Sequence, residues 1–417
     1  MSSKKYVPTV LMIYLCYMMH GIALIILSQN INYLQEQMHT DYAGVMFVVS
    51  GLGIGKLVTQ YAGGVLSDRL GRRPFVLLGI VGYAVFFLGI LVSPNIYVGF
   101  AFSFLCGFGN TCLDAGGTTA LMEIMHKMMG TASIITKLFI AAGQFLLPLV
   151  IGIITLNQMY YGASFLMCAG MLALLGIGLI RAPFMSAKEQ EEQAKQAAGQ
   201  KTALALGPAK ANMKIEGAAL VVIGFTSTAT FYTVINWITI YARDVARLSD
   251  TAAQSIMSFY STGAILAVTV TAILVQKYIK PARLLMIYPT LAALCLCILL
   301  QHPTELVCRI MGFFIGCFAG GGVLQLAAAV IVEFFPERKG TVTSMVFTAS
   351  GLAMFAGSNI TGWLSSMSVS YVIVYDIAAT LLGIALAVVV NIRYNQVMLG
   401  ESGGVIKELK VKNKLSL

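Results

Sequence analysis

Gly63-Gly64-Val65-Leu66-Ser67-Asp68-Arg69-Leu70-Gly71-Arg72-Arg73-Pro74 is a short polar turn between two long apolar runs. Gly64 permits close helix contact and Gly71 permits the turn. Asp68 stands at a helix end, where it can pair with a basic group or with a neighbouring helix N-terminus. Arg72 and Arg73 offer forked donors that suit carboxylates. What this turn connects decides the fold.

A bilayer core of about 30 Å needs roughly 20 apolar residues per helix. Twelve such runs occur, at about 7–29, 43–66, 74–93, 96–122, 131–155, 160–181, 216–241, 253–275, 283–301, 305–334, 341–365 and 369–392. The 417 residues are 58% hydrophobic and 11% charged, against roughly 25% charged in soluble domains. Mean hydropathy is +0.84. Too few charges exist to cover a soluble fold, and disorder needs low hydrophobicity. An all-α polytopic membrane protein remains, and its 41 glycines suit closely packed membrane helices.

Lysine and arginine outnumber the acids 27 to 17, for a net charge of +10. With the N-terminus in the cytoplasm, 22 of the 27 basic residues fall on that side. The outer loops hold only Arg243 and Arg247, while Lys56, Lys137 and Arg309 lie within spans. This pattern predicts a multi-pass inner or plasma membrane protein with both termini cytoplasmic. The excess is a topology signal, so no nucleic-acid partner is expected. The run after Lys4 and Lys5 is too long for a signal-peptide core and reads as a retained first helix. The eight cysteines show no metal spacing and read as packing residues, so no metal or cofactor is expected.

A shift of 210 residues superimposes the ends of spans 4 and 10. Glu123 falls on Glu333, Gly130 on Gly340 and Thr131 on Thr341, with Phe104 and Phe108 on Phe314 and Phe318. The repeat predicts a six-helix bundle over 1–183, a cytoplasmic linker over 184–213, a second six-helix bundle over 214–394 and a tail over 395–417. Two like-oriented halves are an architecture of alternating-access transporters.

Gly64 through Arg73 resembles the signature G-x-L-a-D-r-x-G-r-[rk] of the major facilitator superfamily. The resemblance implies that fold, and it implies a cytoplasmic latch built from Gly64, Asp68, Arg69, Gly71, Arg72 and Arg73. The loop between spans 8 and 9 keeps Lys277 and Lys280 but lacks the acid and the glycine, so the latch is expected to be asymmetric. Glu333-Phe334-Phe335-Pro336 resembles the E-x-F-P segment of sugar porters. That resemblance makes Glu123 and Glu333 gate partners of Arg72, Arg73 and Arg338, with direct proton movement as the other reading. Two departures count against efflux antiport: Ser103 stands where many members carry an arginine, and span 5 lacks the antiporter glycine-proline pattern. Span 4, with Asp114, weakly resembles fucose-permease-like sugar symporters.

Ionisable groups at membrane depth are costly and therefore functional candidates. Lys56, near the centre of span 2, suggests an anionic substrate group; burial in neutral form is the other reading. Asp114 and Lys137 lie at matching depths, by about 1.5 Å of rise per residue. They are expected to pair, either as a proton-coupling pair or as a structural one. His20, near Tyr14 and Tyr17 on span 1, is a proton candidate or a satisfied core histidine, and all three are substrate-binding candidates. Tyr232, Asn236 and Trp237 share a face of span 7, suited either to stacking on a substrate ring or, for Trp237, to interfacial anchoring. Asn110 and Gln325 are further substrate-binding candidates. Arg309 and Asp376 lie in the outer leaflet, where they pair or Arg309 snorkels.

These residues predict a monomeric secondary transporter that cycles by alternating access. Its partners are a small-molecule substrate, protons and the lipid bilayer. The expected activity is proton-coupled symport of a small polar organic solute, sugar-like or an organic anion such as a sugar acid. No nucleotide-cradling loop is present, so ATP is not the energy source. The alternatives are a proton-coupled multidrug efflux antiporter and, in another class, a membrane sensor. An enzyme is not expected, because the four histidines are scattered in depth.

Overall fold

The computed structural model describes residues 3–125, 129–185, 189 and 211–399. Much of the expected linker and nearly all of the expected tail therefore lie outside the described residues. The same holds for Lys127 and for most of the basic residues expected beyond Arg181 and Arg393.

The chain is almost entirely helical. α1 runs Val7–Ala23, α2 Ile26–Gln29, α3 Ile31–Met38, α4 Tyr42–Leu70, α5 Arg72–Leu91 and α6 Ile96–Leu113. A π-helical turn, Asp114–Thr118, joins α6 to α7, Thr119–Ile124. α8 spans Met129–Leu156 and α9 Ala163–Arg181. A second π-turn, Met213–Gly217, leads into α10, Ala218–Asp244. Then follow α11 Asp250–Lys277, α12 Pro281–Gln301, α13 Glu305–Ala319, α14 Val323–Phe334, α15 Lys339–Met367 and α16 Val369–Tyr394.

Eleven stretches among the described residues are long and apolar enough to cross a membrane. α1 with α2 supplies the twelfth crossing. The first span was expected to be one run, yet it turns at Leu24 and Ile25 before α2. Span 10 also divides: Gly322 takes a φ of +100°, which suits glycine, and separates α13 from α14. Short polar residues set the other ends. Asp41 accepts from the Gly44 amide to open α4, and Asn95 accepts from Tyr97 and Val98 to open α6. Gly71, at φ +90°, ends α4 and starts α5. The turn that opened the sequence reading is thus a two-helix corner. Seven of the eight cysteines are buried and none is bonded to another.

α4 defines two faces, one at Tyr42 and one at the Arg72 corner. Within the first six spans α4 packs on α6, α5 on α6 and α9, and α1 on α8. Within the last six α11 packs on α13, and α10 and α12 pack on α16. The two sets meet where α4 packs on α15 and α8 on α11.

Their side-chain hydrogen bonds gather toward the Tyr42 face. The Tyr42 hydroxyl donates to Asp244 Oδ2 at 2.8 Å, and Arg243 Nη2 donates to the Tyr42 oxygen at 2.8 Å. Gln29 Nε2 donates to Thr239 Oγ1 at 2.9 Å, and Trp237 meets Tyr42 edge-on at 6.3 Å. At mid-depth, a Cβ on Gly53 would press on the Phe355 amide nitrogen at 2.5 Å. Toward the Arg72 face, the described ion pairs stay within one set of spans. The Tyr42 face is therefore the closed one.

Candidate functional site

The centre of the site follows from a close approach of α4 and α6. A Cβ on Gly107 would meet the Leu52 carbonyl oxygen and would stand 2.6 Å from the Lys56 amide nitrogen. Only glycine lets the two backbones come so near, and this brings Lys56 alongside α6. Asp114 lies seven residues beyond Gly107, two turns along the same side. Lys56 Nζ donates to Asp114 Oδ2 at 3.1 Å, with the two side chains 16% and 32% exposed. This corrects the expected partner. Lys137, half-buried on α8, matches Asp114 in depth, but the ion pair is made across the glycine contact with Lys56.

Asp114 also opens the π-turn, a wide turn of the kind found at functional positions in helices. Its other oxygen lies 3.3 Å from the Tyr17 hydroxyl, which also contacts Thr118 Oγ1. One turn away, the Tyr83 hydroxyl lies 2.7 Å from His20 Nδ1, and Asn110 Nδ2 lies 3.3 Å from the same ring. Tyr17, His20, Lys56, Asn110 and Asp114 therefore form one polar cluster of α1, α4 and α6. Tyr83 and Thr118 complete it, and the sequence reading missed both. The Gly116-Gly117 pair inside an apolar run was the available signal for the π-turn. Tyr14 stays apart, because its ring stacks on Phe139 at 5.2 Å and its hydroxyl lies 3.3 Å from the Ala132 carbonyl oxygen.

The shared face of α10 is divided. Trp237 is buried and donates through Nε1 to Thr361 Oγ1 at 3.0 Å. It serves the closed face and is neither a lipid anchor nor an open stacking surface. Tyr241 is likewise buried, its hydroxyl donating to the Leu299 carbonyl at 3.1 Å. Among the described residues, Tyr232 Oη and Asn236 Oδ1 are buried without hydrogen-bond partners. Gln325 is half-buried just past the break between α13 and α14.

The Arg72 corner holds an ion pair. Arg72 Nε donates to Glu123 Oε1 at 2.9 Å, and Nη1 donates to Ser67 Oγ at 3.2 Å. Ser67 Oγ in turn donates to the Ala115 carbonyl at 2.9 Å, inside the π-turn. The corner and the Lys56–Asp114 pair therefore grip the same turn from two sides. Arg69, Gly71, Arg72, Arg73 and Glu123 line one cleft of about 410 Å³. The surroundings of Gly64 and the side chain of Asp68 lie outside the described residues.

The second set of spans is built differently. Glu333 was expected beside Arg338, but its Oε2 accepts from the Tyr394 hydroxyl at 2.6 Å. Arg338 is exposed in the short turn before α15. Lys280 lies over the Tyr394 ring at 5.8 Å. An aromatic ring thus stands between base and acid where the first set has a direct ion pair. Fully buried Glu216, which the sequence reading passed over, accepts from Arg393 Nε at 2.7 Å. Arg309 pairs with Glu305 Oε1 at 2.5 Å, one turn away, and so does not reach Asp376.

Residues 13–358 match the family described as Major Facilitator Superfamily. The chain is 34% identical over 397 residues to the "Inner membrane transport protein YdiN" of Escherichia coli K12, covering 95% of this chain and 93% of that one. It is 36% identical over 390 residues to the "Inner membrane transport protein YdiM" of the same organism, covering 94% and 95%. In fold it resembles a solved D-xylose-proton symporter with a TM-score of 0.73 and 16% identity, covering 92% of this chain and 97% of that one.

Proposed function

The chain belongs to the major facilitator superfamily of membrane transporters, and we propose that it is a proton-coupled symporter of a small hydroxylated organic anion. One observation carries the reading: a basic and an acidic side chain on two different helices, paired within the membrane. A buried pair that loses one partner leaves a costly charge behind. Protonation of Asp114 removes one charge and frees the Lys56 ammonium, and a solute carboxylate then takes the place of the Asp114 carboxylate. The site keeps its charge balance, so proton and anion enter together.

Tyr17, Asn110, Tyr232 and Asn236 supply hydroxyl and amide groups for a sugar-like body. The unpartnered atoms of Tyr232 and Asn236 favour such a role. The expected bundles over 1–183 and 214–394 then rock about this site. The positive-inside pattern makes the Arg72 face cytoplasmic, so the closed Tyr42 face belongs to an inward-facing state. The Arg72–Glu123 corner is the half of the cytoplasmic latch that the first six spans carry, disengaged from the other set in this state, and Ser67 ties it to the π-turn that Asp114 opens. Protonation at Asp114 therefore biases the same element that the latch holds.

The test is uptake into proteoliposomes with an imposed pH gradient, screened across sugars, sugar acids and hydroxylated carboxylates. Asp114→Asn is expected to retain solute exchange and to lose gradient-driven accumulation. Accumulation that survives in Asp114→Asn overturns the coupling role. Affinity for the anion that is unchanged in Lys56→Gln overturns the binding role.

A further inference from the structure

Asp376 is a buried acid that the Lys56–Asp114 mechanism does not use. It lies seven residues into α16, about 10 Å from the Tyr42 face. It is 0% exposed, and among the described residues neither carboxyl oxygen has a partner at normal hydrogen-bond distance, the Thr230 hydroxyl interacting with the carboxyl from farther off. Arg309, the base nearest in expected depth, is engaged with Glu305. The ionisable groups that interact with Asp376 are two phenols, Tyr260 of α11 and the adjacent Tyr375. Neither supplies a positive charge.

Hydroxyls connect this acid to a small cavity. Thr380 Oγ1 donates to the Asp376 backbone carbonyl at 2.7 Å and lies 2.8 Å from Thr230 Oγ1 of α10. Thr230 and Thr380, together with Thr226 and Ser227, line a cavity of about 20 Å³, room for about one water. Phe318, Ala319 and Val323 close it at the break between α13 and α14. A carboxylate sealed without a counter-charge, with only the Thr230 hydroxyl beside it, is far costlier than the neutral acid.

We propose that Asp376 is a second proton-carrying carboxyl, loaded in this facing state and reached through the Thr230–Thr380 hydroxyls and their cavity. On release the carboxyl O–H bond breaks and its electron pair stays on the carboxylate. A hydroxyl accepts the proton while passing its own to a water in the cavity, so each hydroxyl ends as it began. The proposal rests on the proton-coupled reading, but its test needs no solute.

The test is infrared difference spectroscopy of the full chain in lipid nanodiscs at neutral pH. The expected result is a protonated-carboxyl C=O band that is absent in Asp376→Asn, present in Asp114→Asn and shifted in D2O. Thr230→Val should keep the band and slow its D2O shift at least tenfold. A band unchanged in Asp376→Asn overturns the proposal. So does a band that never shifts in D2O, which marks a sealed structural acid. Loss of the wild-type band on adding sodium chloride also overturns it, in favour of a sodium site. Accumulation that persists in Asp114→Asn sinks the coupling reading without altering the band, so the two failures are distinguishable.

Discussion

Lys56 Nζ and Asp114 Oδ2 stand 3.1 Å apart, joining α4 to the first residue of a π-turn at the end of α6. The pair depends on backbone contact at Gly107, and Asp114 shares its turn with the carbonyl that Ser67 holds. Ion pair, helix contact and the Arg72 corner therefore meet at one turn.

A double-mutant cycle should expose the pair. Lys56→Gln and Asp114→Asn should each destabilise the purified protein, and the double variant should recover part of the loss. The coupling is expected to be about 0.5–3 kcal/mol, read by thermal unfolding in detergent. Strict additivity would show that the two charges do not interact.

The glycine contact makes a steric prediction. Gly107→Val should cost about 1–3 kcal/mol by overpacking and should abolish coupled accumulation, because α4 must move away from α6. Gly152 on α8 has open space where a Cβ would stand. Gly152→Ala should therefore be neutral or stabilise by up to about 1 kcal/mol through helix propensity. Equal effects of the two changes in thermal unfolding would contradict the packing account.

The closed face should open when Arg243 is removed. Arg243 bonds to both Tyr42 and Asp244, and hydrogen bonds to a charged group contribute about 1.5–3 kcal/mol each. Arg243→Ala should raise the labelling rate of a Thr239→Cys reporter by a membrane-impermeant maleimide at least tenfold. An unchanged rate would show that the network does not hold this face shut.

Tyr394 should matter through its hydroxyl and its ring separately. Tyr394→Phe removes the bond to Glu333 but keeps the surface under Lys280, whereas Tyr394→Leu removes both. The phenylalanine variant should lose about 1–3 kcal/mol and the leucine variant more, in thermal unfolding. Equal losses would show that the ring contact with Lys280 contributes nothing.

Much of this site was legible in sequence. Tyr17, His20, Lys56, Asn110 and Asp114 were each recognisable as polar groups in apolar runs, and these converge, whereas Tyr14 stays apart. Glu123 was expected as a partner of Arg72 from the family resemblance, and the ion pair between them is formed. The remaining partners were not legible. Lys137 was paired with Asp114 by matching depth and Arg338 with Glu333 by family resemblance, while Arg309 was left to pair with Asp376 or to snorkel. Trp237 was read as a possible anchor because its depth suited one.

Sequence alone determined the twelve apolar spans, their two-fold repeat, the charged corner at Gly71 and the family. These follow from periodicity, length and local turn chemistry, each a property of neighbouring residues. Tertiary structure decided which acid meets which base. Rise per residue gives a side chain's depth, but its direction around the helix axis depends on how helices pack and on insertions such as the π-turn at Asp114. Close contact at Gly107 turns Lys56 toward Asp114, and Tyr394 reaches Glu333 ahead of Arg338. Among the described residues, Asp376 is left inside the fold with no base paired to it.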